Sequence, residues 1–294
     1  MAAEIISGKE VATEIREELA EEIKGLKTKG VTPGLGVILV GEDPASRSYV
    51  TAKERACEEI GIFSDDFRIP AETSQDELID IIEKMNGDPK IDGILVQLPL
   101  PSHISEQEAL MAVSPDKDVD GFHPVNVGKM MLGQEAVLPC TPNGVVEMML
   151  RKGVKIEGSH VVIVGRSNIV GKPLAIMLVQ KNDRGNATVT MCHTRTKNLK
   201  EMTRQADILI AAAGRPEVIT ADMVKEGAVV VDVGVNRVED ASRKRGYRLV
   251  GDVDFDKVKE KASFITPVPG GVGPMTITML LASTVNLSRK RLSN

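Results

Sequence analysis

Apolar and polar residues along the chain change repeatedly between a strand-like and a helix-like pattern. Short apolar runs bounded by glycine or proline predict buried strands, and the longer amphipathic segments between them predict helices. In the first half of the chain, strands are expected over residues 35–40, 65–69 and 93–98, and helices over 7–29, 44–60 and 75–85. This βαβ alternation is typical of an α/β fold with a parallel sheet.

The second half of the chain repeats the alternation. A helix is predicted over residues 143–152, followed by strands over 160–164, 187–192, 207–212, 228–233 and, with a weaker pattern, 248–250. A last helix is expected from Pro274 to about Leu292, returning to the first domain. A chain of 294 residues is expected to form two domains. We place the first at residues 1–145, completed by 275–294, and the second at 146–274.

Composition excludes several classes of function. The net charge of −5 provides no overall attraction to nucleic acid or to an anionic membrane, so neither partner is expected. Cys57, Cys140 and Cys192 have neither metal-binding spacing nor the even number of a disulfide framework. The sequence also lacks a recognisable signal peptide and a membrane-spanning run. These features indicate a cytoplasmic protein, or the mature form of an organellar one, with no bound metal.

The segment from Gly165 to Gly171 follows a predicted strand and precedes a helix. Segments of this kind hold phosphate at backbone N–H groups and a helix N-terminus. The pattern differs from G-x-G-x-x-G because Ser167 replaces the middle glycine, and from a P-loop because Pro173 stands where a hydroxyl residue is required. The segment alone is equally compatible with a simple turn, but the strands that follow it favour a dinucleotide site.

The end of the next predicted strand indicates which dinucleotide binds. NAD enzymes commonly place a carboxylate there for the ribose 2′-hydroxyl, whereas residues 192–195 here are Cys-His-Thr-Arg. With Arg166 in the glycine loop, these hydroxyl and guanidinium groups suit a 2′-phosphate, so NADP is predicted. Arg195 can also be read as an ordinary surface residue. The small residues at 211–214 either admit the dinucleotide to the sheet edge or only allow tight packing.

The predicted helix at 44–60 carries a lysine on its apolar face. At a helical period that face is formed by Tyr49, Val50, Lys53, Ala56, Cys57 and Ile60. A lysine there either extends its amine to solvent or is buried. Burial lowers the pKa of a lysine and makes its amine usable in proton transfer. Lys53, one helical turn after Tyr49, is therefore a candidate catalytic residue.

Other candidate ligand-binding residues lie at strand ends and in turns. Gln97 ends an apolar run, and ligands of open α/β sheets bind at the carboxyl ends of strands. Asp116, Asp118 and Asp120 alternate in one loop, which permits a calcium site, although the EF-hand spacing is absent. A loop carboxylate that binds an aminopyrimidine is the preferred interpretation. His123 is assigned a structural hydrogen bond.

Taken together, these segments resemble the methylenetetrahydrofolate dehydrogenase/cyclohydrolase family. The stretches that carry the resemblance span nearly the whole chain in the family's order, and they are Tyr49–Lys53, Gly93–Pro101, Pro115–Pro124, Gly165–Pro173 and the glycine- and proline-rich Pro267–Thr276. The last of these is too rigid for a plain linker and suggests a shaped loop that lets the backbone approach a flat ligand. The combination is specific, whereas the glycine loop alone is not.

The resemblance implies two α/β domains, the second a Rossmann-like NADP-binding domain with a mainly parallel sheet, and an active site in the interdomain cleft. It implies an enzyme that oxidises 5,10-methylenetetrahydrofolate with NADP and then hydrolyses the 5,10-methenyl product to 10-formyltetrahydrofolate. The implied partners are a folate substrate, with or without a polyglutamate tail, and a second copy of the chain in a homodimer formed through the NADP-binding domain.

The same resemblance assigns roles to individual residues. Lys53, Tyr49 and Gln97 are implied to be catalytic, with Gln97 hydrogen-bonded to Lys53. Substrate binding is assigned to Tyr49, Leu98, Pro99, Asp120, Gly270, Gly271 and Pro274. Cofactor binding is assigned to Gly165, Arg166, Ser167, Val170, Gly171, His193, Thr194, Arg195, Ala213, Gly214 and Val235. The segment 181–186 looks longer than in many relatives, which leaves the alignment at Thr194 and Arg195 less certain.

Three other functions are weighed against this one. A different two-domain NADP dehydrogenase, acting on a shikimate-like acid, explains the second domain but not Asp120 together with the loop at 267–276. A dinucleotide sensor without chemistry would be favoured by loss of Lys53 or Asp120, and both are present. A family member with one of the two activities stays open, whereas a further formyl-synthetase domain does not fit into 294 residues.

Overall fold

The computed structural model describes residues 2–243 and 246–292. This part of the chain contains the strands β1 (Glu4–Ile5), β2 (Gly34–Val40), β3 (Phe63–Ile69), β4 (Gly93–Val96), β5 (His160–Val164), β6 (Thr188–Cys192), β7 (Ile208–Ala211), β8 (Val229–Asp232), β9 (Asn236–Glu239), β10 (Tyr247–Val250) and β11 (Phe264–Ile265).

Its α-helices alternate with these strands over most of the chain. They are α1 (Gly8–Thr28), α2 (Pro44–Ile60), α3 (Gln75–Gly87), α4 (Glu106–Ala112), α5 (Pro124–Met131), α6 (Cys140–Arg151), α7 (Gly171–Val179), α8 (Leu199–Thr203), α9 (Phe255–Val258) and α10 (Val272–Ser288). Two short 3₁₀ segments complete the set, at Ala221–Met223 and Arg289–Leu292.

The chain divides into two compact units. The six-stranded unit consists of the residues up to Ala12 together with Thr141–Thr276, and the three-stranded unit consists of Thr13–Cys140 and the residues from Ile277 onward. The first residues of the chain therefore lie with the second predicted domain rather than with the first. The reason is the pairing of β1 with β11, a pair of two-residue strands too short to give a sequence signal.

The six-stranded unit is built on one parallel sheet in the order β1-β11-β8-β7-β5-β6. From β5 the chain goes to β6 on one side and then to β7 on the other, so the topological switch point lies between β5 and β7. Ligands of open α/β sheets bind beside such a point, at the carboxyl ends of the strands. Its core includes Val162, Val164, Leu209, Val230 and Ile265, all with little or no exposed surface.

The three-stranded unit has a parallel sheet in the order β3-β2-β4. Helix α2 packs on β2 and β3, and α3 packs on β4. Its core is formed by apolar residues of the sheet and of α3, among them Ile38, Leu78, Ile82, Ile94 and Val96. β3 is an edge strand, and each of its side chains is partly or fully exposed.

The two-domain α/β fold with a mainly parallel sheet is confirmed, and each predicted strand and helix is present within a few residues of its expected ends. Several short elements were not predicted, including α8, α9 and the 3₁₀ segment at Ala221–Met223. Helices α4 and α5 are short and lie between longer elements, the strands β1 and β11 have two residues each, and β9 pairs with β10 in a separate antiparallel hairpin. Residues 293 and 294, the end of the predicted C-terminal segment, lie outside the described residues.

Candidate functional site

Helix α2 is fixed at both ends, which determines where its side chains point. The Asp43 side chain accepts a hydrogen bond from the backbone N–H of Ser46 at 2.8 Å, and Pro44 follows in the first turn. Gly61 ends the helix with a φ of 87°, a conformation that favours glycine. With the helix anchored in this way, its apolar face packs on β2 and β3, and Lys53 lies on that face.

Lys53 is buried, with 3% of its surface exposed. Its Nζ donates a hydrogen bond to Gln97 Oε1 at 3.2 Å and lies 4.2 Å from the centroid of the Tyr49 ring, a cation–π contact. Gln97 is held in turn, because its amide N–H donates to the carbonyl oxygen of Leu98 at 2.7 Å. That bond leaves the amide oxygen facing Lys53. The structure thus brings together all three residues predicted to be catalytic.

The Lys53 amine and the Asp120 carboxyl shift each other's pKa. Burial lowers the pKa of Lys53 to about 8, and the charge of Asp120 opposes that shift. Burial raises the pKa of Asp120 to about 6, against the opposing effect of Lys53, while Asp118 adds to the rise. Both groups therefore titrate close to neutral pH, a property found often at catalytic sites.

The three alternating aspartates have three different environments. Asp116 is exposed and forms an ion pair with Lys290 at 2.9 Å. Asp118 is buried and accepts bonds from the backbone N–H groups of Gly121 and His123 at 3.0 and 2.8 Å, and from the Asn126 amide at 3.0 Å. Of the three, it is Asp120 that interacts electrostatically with Lys53. Asp118 therefore stabilises the conformation of the loop. The sequence alone did not distinguish this role from that of Asp120.

The loop that carries Asp120 runs beside β4. The backbone N–H of Ile94 donates to the carbonyl oxygen of Lys117 at 2.7 Å, and Gly93 leaves room for Val119, because a Cβ there would lie 2.0 Å from the Val119 side chain. Since Gln97 directly follows β4, this pairing keeps Asp120 near the end of the same strand. His123 has the structural role expected of it, since its ring caps α5 by accepting from the Val125 N–H at 3.2 Å.

Two buried thiols border the lysine cluster and were not predicted to belong to it. The Cys140 Sγ donates to the carbonyl oxygen of Val119 at 3.3 Å. Burial raises the pKa of Cys140 well above its usual range and that of Cys57 to about 12, so both stay neutral thiols at physiological pH. They contribute packing and weak dipoles around Lys53 without adding charge. Cys57 could be placed here from its position on the Lys53 face of α2, whereas Cys140 had no comparable signal.

The glycine loop after β5 is closely packed at the switch point of the six-stranded sheet. A Cβ at Gly165 would lie 2.1 Å from the carbonyl oxygen of Ala212, and a Cβ at Gly171 would lie 2.2 Å from that of Gly165. Ser167 accepts bonds from the backbone N–H groups of Val170 and Gly171 at 3.1 and 3.4 Å. The loop therefore brings the start of α7 close to the ends of β5 and β7, where a phosphate can approach backbone N–H groups.

A turn at residues 193–196 lies next to this loop. The backbone N–H of Gly165 donates to the carbonyl oxygen of Cys192 at 2.9 Å, so the loop and the turn start from paired strand ends. Within the turn, the His193 ring accepts from the Arg195 N–H at 3.1 Å. Thr194 and Arg195 are exposed, as is Arg166. These side chains are consequently available to an anion outside the strand ends.

The loop at 267–274 borders a cavity of about 230 Å³ in the six-stranded unit. Four predicted ligand-binding residues line it, namely Val235, Gly270, Gly271 and Pro274. The N-terminus of α1 packs on this loop, because a Cβ at Gly8 would lie 1.8 Å from the carbonyl oxygen of Gly271. Of the other predicted substrate-binding residues, Tyr49, Leu98, Pro99 and Asp120 belong to the three-stranded unit.

Among residues 2–243 and 246–292, no group of three or more His, Cys, Asp or Glu side chains is arranged to hold a metal ion. Within the same ranges, no helix combines the length and the apolar composition needed to cross a membrane.

Two sequence models of one family match the chain. The catalytic domain of tetrahydrofolate dehydrogenase/cyclohydrolase matches residues 6–120, and its NAD(P)-binding domain matches residues 139–292. The bifunctional protein FolD of Dehalococcoides mccartyi strain CBDB1 is 58% identical over 292 residues, which cover 99% of this chain and 98% of that relative.

Two solved structures are similar over the full length. The bifunctional FolD enzyme of Campylobacter jejuni has 49% identity and a TM-score of 0.93, with 99% of this chain and 100% of that one covered. The N5,N10-methylenetetrahydrofolate dehydrogenase-cyclohydrolase of Trypanosoma brucei, solved with NADP and an inhibitor, has 39% identity and a TM-score of 0.94, with 100% of both chains covered. The similarity therefore extends over both units.

Proposed function

This chain belongs to the tetrahydrofolate dehydrogenase/cyclohydrolase family, and from that membership we propose a mechanism in which Lys53 moves the protons of the hydrolytic step. The enzyme is bifunctional: it oxidises 5,10-methylenetetrahydrofolate with NADP and hydrolyses the 5,10-methenyl product to 10-formyltetrahydrofolate. The alternatives of an unrelated NADP dehydrogenase and of a sensor without chemistry are thereby excluded.

The observation that carries the mechanism is the environment of the Lys53 amine. The amine is buried against Tyr49, hydrogen-bonded to Gln97 at 3.2 Å, and has a pKa of about 8. A general acid–base group works best when its pKa lies near the working pH, because both of its protonation states are then available. An ordinary solvated lysine, with a pKa of 10.5, would be almost entirely charged at neutral pH.

In the hydrolytic step, water adds to the methenyl carbon and the neutral amine of Lys53 takes one of its protons. The new C–O bond removes the positive charge from the N5–C–N10 unit. The charged amine then gives a proton to N5 as the bond between N5 and the carbon breaks. The remaining hydroxyl proton is released as the formyl C=O forms, so that one water is consumed and one proton is produced overall.

In the oxidative step, bound NADP supplies the hydride acceptor, and the residues of the cluster manage charge. The methenyl product is a cation, which an ionised Asp120 stabilises by proximity. Arrival of the same cation beside Lys53 lowers the pKa of the amine further, because like charges disfavour each other. The product of the first step thus generates the neutral amine that the second step uses.

Folate recognition is assigned to residues that border the cluster. Asp120 is partly exposed and acidic, and it pairs with the amino and ring N–H groups of the pterin. The Tyr49 ring, which already covers Lys53, provides an aromatic wall for the folate. Leu98 and Pro99 continue the chain from Gln97 and contribute apolar surface. Gly270, Gly271 and Pro274 are assigned to substrate contact from the cavity that they line.

The NADP site is assigned to the carboxyl ends of β5, β6 and β7. The close packing of Gly165 and Gly171 supports a phosphate cradle, because a side chain at either position would collide with a backbone carbonyl oxygen and push the loop away from the strand ends. Arg166, Thr194 and Arg195 bind the 2′-phosphate, which explains the preference for NADP. The remaining contacts are assigned to Ser167, Val170, His193, Ala213, Gly214 and Val235.

Three further features belong to the same proposal. We assign folate binding to the domain predicted at residues 1–145 with 275–294 and NADP binding to the domain predicted at 146–274, except that the residues up to Ala12 pack with the NADP-binding unit. Two copies associate through the NADP-binding domain, which light scattering on the purified protein tests directly. The enzyme acts in the cytoplasm on folates with or without polyglutamate tails, and its three buried free cysteines suit a reducing compartment.

One assay tests the two activities together. The purified protein is mixed with methylenetetrahydrofolate and NADP, and NADPH and methenyltetrahydrofolate are followed in the same cuvette. We expect NADPH to accumulate in clear excess over methenyltetrahydrofolate, because hydrolysis removes the methenyl compound. Methenyl compound equal to NADPH, after correction for spontaneous hydrolysis, would refute the cyclohydrolase activity, and absence of NADPH would refute the dehydrogenase activity.

A further inference from the structure

A buried carboxylate lies behind the cofactor-binding segment that follows β7. Asp252 has no exposed surface. It accepts bonds from three successive backbone N–H groups, those of Ala213, Gly214 and Arg215, at 2.6, 2.8 and 2.9 Å, and from the Asn236 amide at 2.9 Å. All four donors point inward at one side chain, so the carboxylate determines the shape of the segment.

A second buried carboxylate fixes the first. Asp232, at the end of β8, accepts bonds from the backbone N–H groups of Gly234, Asp252 and Val253 at 2.9, 3.0 and 2.9 Å. The N–H of Asp232 itself donates to the Thr266 hydroxyl at 2.7 Å. Burial raises the pKa of Asp232 to about 6 against the effect of these backbone donors, so at neutral pH it is ionised and accepts them all.

The packing around the two carboxylates leaves no room for movement. A Cβ at Gly234 would lie 2.1 Å from Asp252 Oδ1, and a Cβ at Gly251 would lie 1.8 Å from Asp232 Oδ2. Ala212, the residue directly before the segment held by Asp252, touches the glycine loop, since a Cβ at Gly165 would lie 2.1 Å from its carbonyl oxygen. Displacement of the segment would therefore reach the glycine loop directly.

We propose that Asp252 is a positioning residue for NADP. It accepts hydrogen bonds from the N–H groups of residues 213–215 and so fixes the position of the backbone against which the dinucleotide lies. This inference rests on the proposed NADP site, because Ala213 and Gly214 are assigned to it. Asp252 itself does not touch the cofactor, since its oxygens are occupied by the four N–H donors.

The variant Asp252→Asn keeps the size of the side chain but replaces one of its two acceptor oxygens with an NH₂ group. An amide has one acceptor oxygen and an NH₂ group, so at least one of the inward N–H groups meets another donor. A buried N–H that loses its acceptor is costly, so the segment shifts rather than remain unpaired. We expect the dissociation constant for NADP to rise at least tenfold, while folate binding and methenyl hydrolysis without NADP stay within twofold of wild type.

Three measurements make up the test. Calorimetry with NADP alone gives cofactor affinity, hydrolysis of added methenyltetrahydrofolate without NADP reports on the Lys53 cluster, and hydrogen exchange reports on the amides of residues 213–215, which we expect to lose protection. The matched control is Asp256→Asn, the same change at an exposed carboxylate that pairs with Lys259. We expect the control to behave as wild type in all three.

The outcomes are separable. A folded Asp252→Asn protein with unchanged NADP affinity overturns the inference, and so does a parallel loss of hydrolysis, which would indicate a general structural role. If Asp252→Asn does not fold, Asn236→Ala decides instead, because it removes one of the four donors; unchanged NADP affinity and unchanged exchange at residues 213–215 then count against the inference. Failure of the wild-type protein to bind NADP would instead overturn the proposed function.

Discussion

Replacement of Lys53 by methionine separates catalysis from stability. Methionine fills most of the volume of the lysine stem and has no amine, so the bond to Gln97 and the proton-transfer group disappear together. General acid–base groups typically contribute ~10²–10⁴-fold to a rate. We therefore expect hydrolysis of methenyltetrahydrofolate to fall at least about 100-fold. Oxidation of methylenetetrahydrofolate should fall less, because it depends mainly on alignment of substrate and cofactor.

The same change should increase stability. A pKa of about 8 for Lys53, against 10.5 in solution, means that burial disfavours its charged form by about 3 kcal/mol. Because the pKa is lower in the folded state, this cost is fully present below pH 8, and the free energy of unfolding rises as the pH increases from about 8 to 10.5. Methionine removes the cost, although Asp120 loses a neighbouring charge. The variant should be about 1–3 kcal/mol more stable at pH 7.

The assay starts from methenyltetrahydrofolate, follows loss of its absorbance, and subtracts the spontaneous rate. Urea unfolding at pH 7 and at pH 10 gives the free energy of unfolding. The difference in this free energy between Lys53→Met and the wild-type protein should be much smaller at pH 10. Lys84→Met, at an exposed lysine in the last turn of α3, is the matched control and should change neither quantity. Near-normal hydrolysis by a folded Lys53→Met protein would show that this lysine only packs, and the mechanism would have to be abandoned.

Three further substitutions test the rest of the site. Asp120→Ala should weaken folate binding at least about tenfold and leave NADP binding intact, because a lost carboxylate removes charge-assisted bonds to the pterin; unchanged folate affinity by calorimetry would remove Asp120 from the site. Arg166→Ala should raise the KM for NADP more than that for NAD, and equal effects on both would contradict a 2′-phosphate contact. Gln97→Glu places a carboxylate beside the Lys53 amine and raises its pKa above about 8. The pH at which hydrolysis reaches half its maximum should therefore move upward, and an unmoved midpoint in the pH profile would count against the pairing.

Local pattern was sufficient to predict the central part of the lysine cluster. The position of Lys53 on the apolar face of α2 follows from a helical period, and Asp43 and Gly61 are residue types that favour the start and the end of a helix. Gln97 was identified by its place at the end of a strand. Each of these signals lies within one element or at its end, where side-chain direction is determined by the backbone period.

Features that depend on distant partners could not be predicted in this way. The pairing of β1 with β11 joins residues 4–5 to residues 264–265, which are far apart in the sequence. The close contact of Gly8 with Gly271 is likewise invisible at either position alone, since each glycine is also compatible with an ordinary turn. Asp232 was even counted within an apolar strand run. Its role depends on backbone N–H groups that the fold brings to it from elsewhere.

The two proposed ligand-binding regions are held in the same way, by a buried carboxylate that accepts bonds from backbone N–H groups. Asp118 gathers the N–H groups of the loop that carries Asp120, and Asp252 gathers those of the segment that carries Ala213 and Gly214. Burying a carboxylate is expensive unless several donors satisfy it, so neither residue is explained by stability alone when an apolar side chain could fill the space. What each provides is a loop whose shape is fixed before the ligand arrives. Such preorganisation reduces the entropy lost on binding. It explains why Asp118 and Asp252, which are not assigned to contact a ligand, lie next to residues that are.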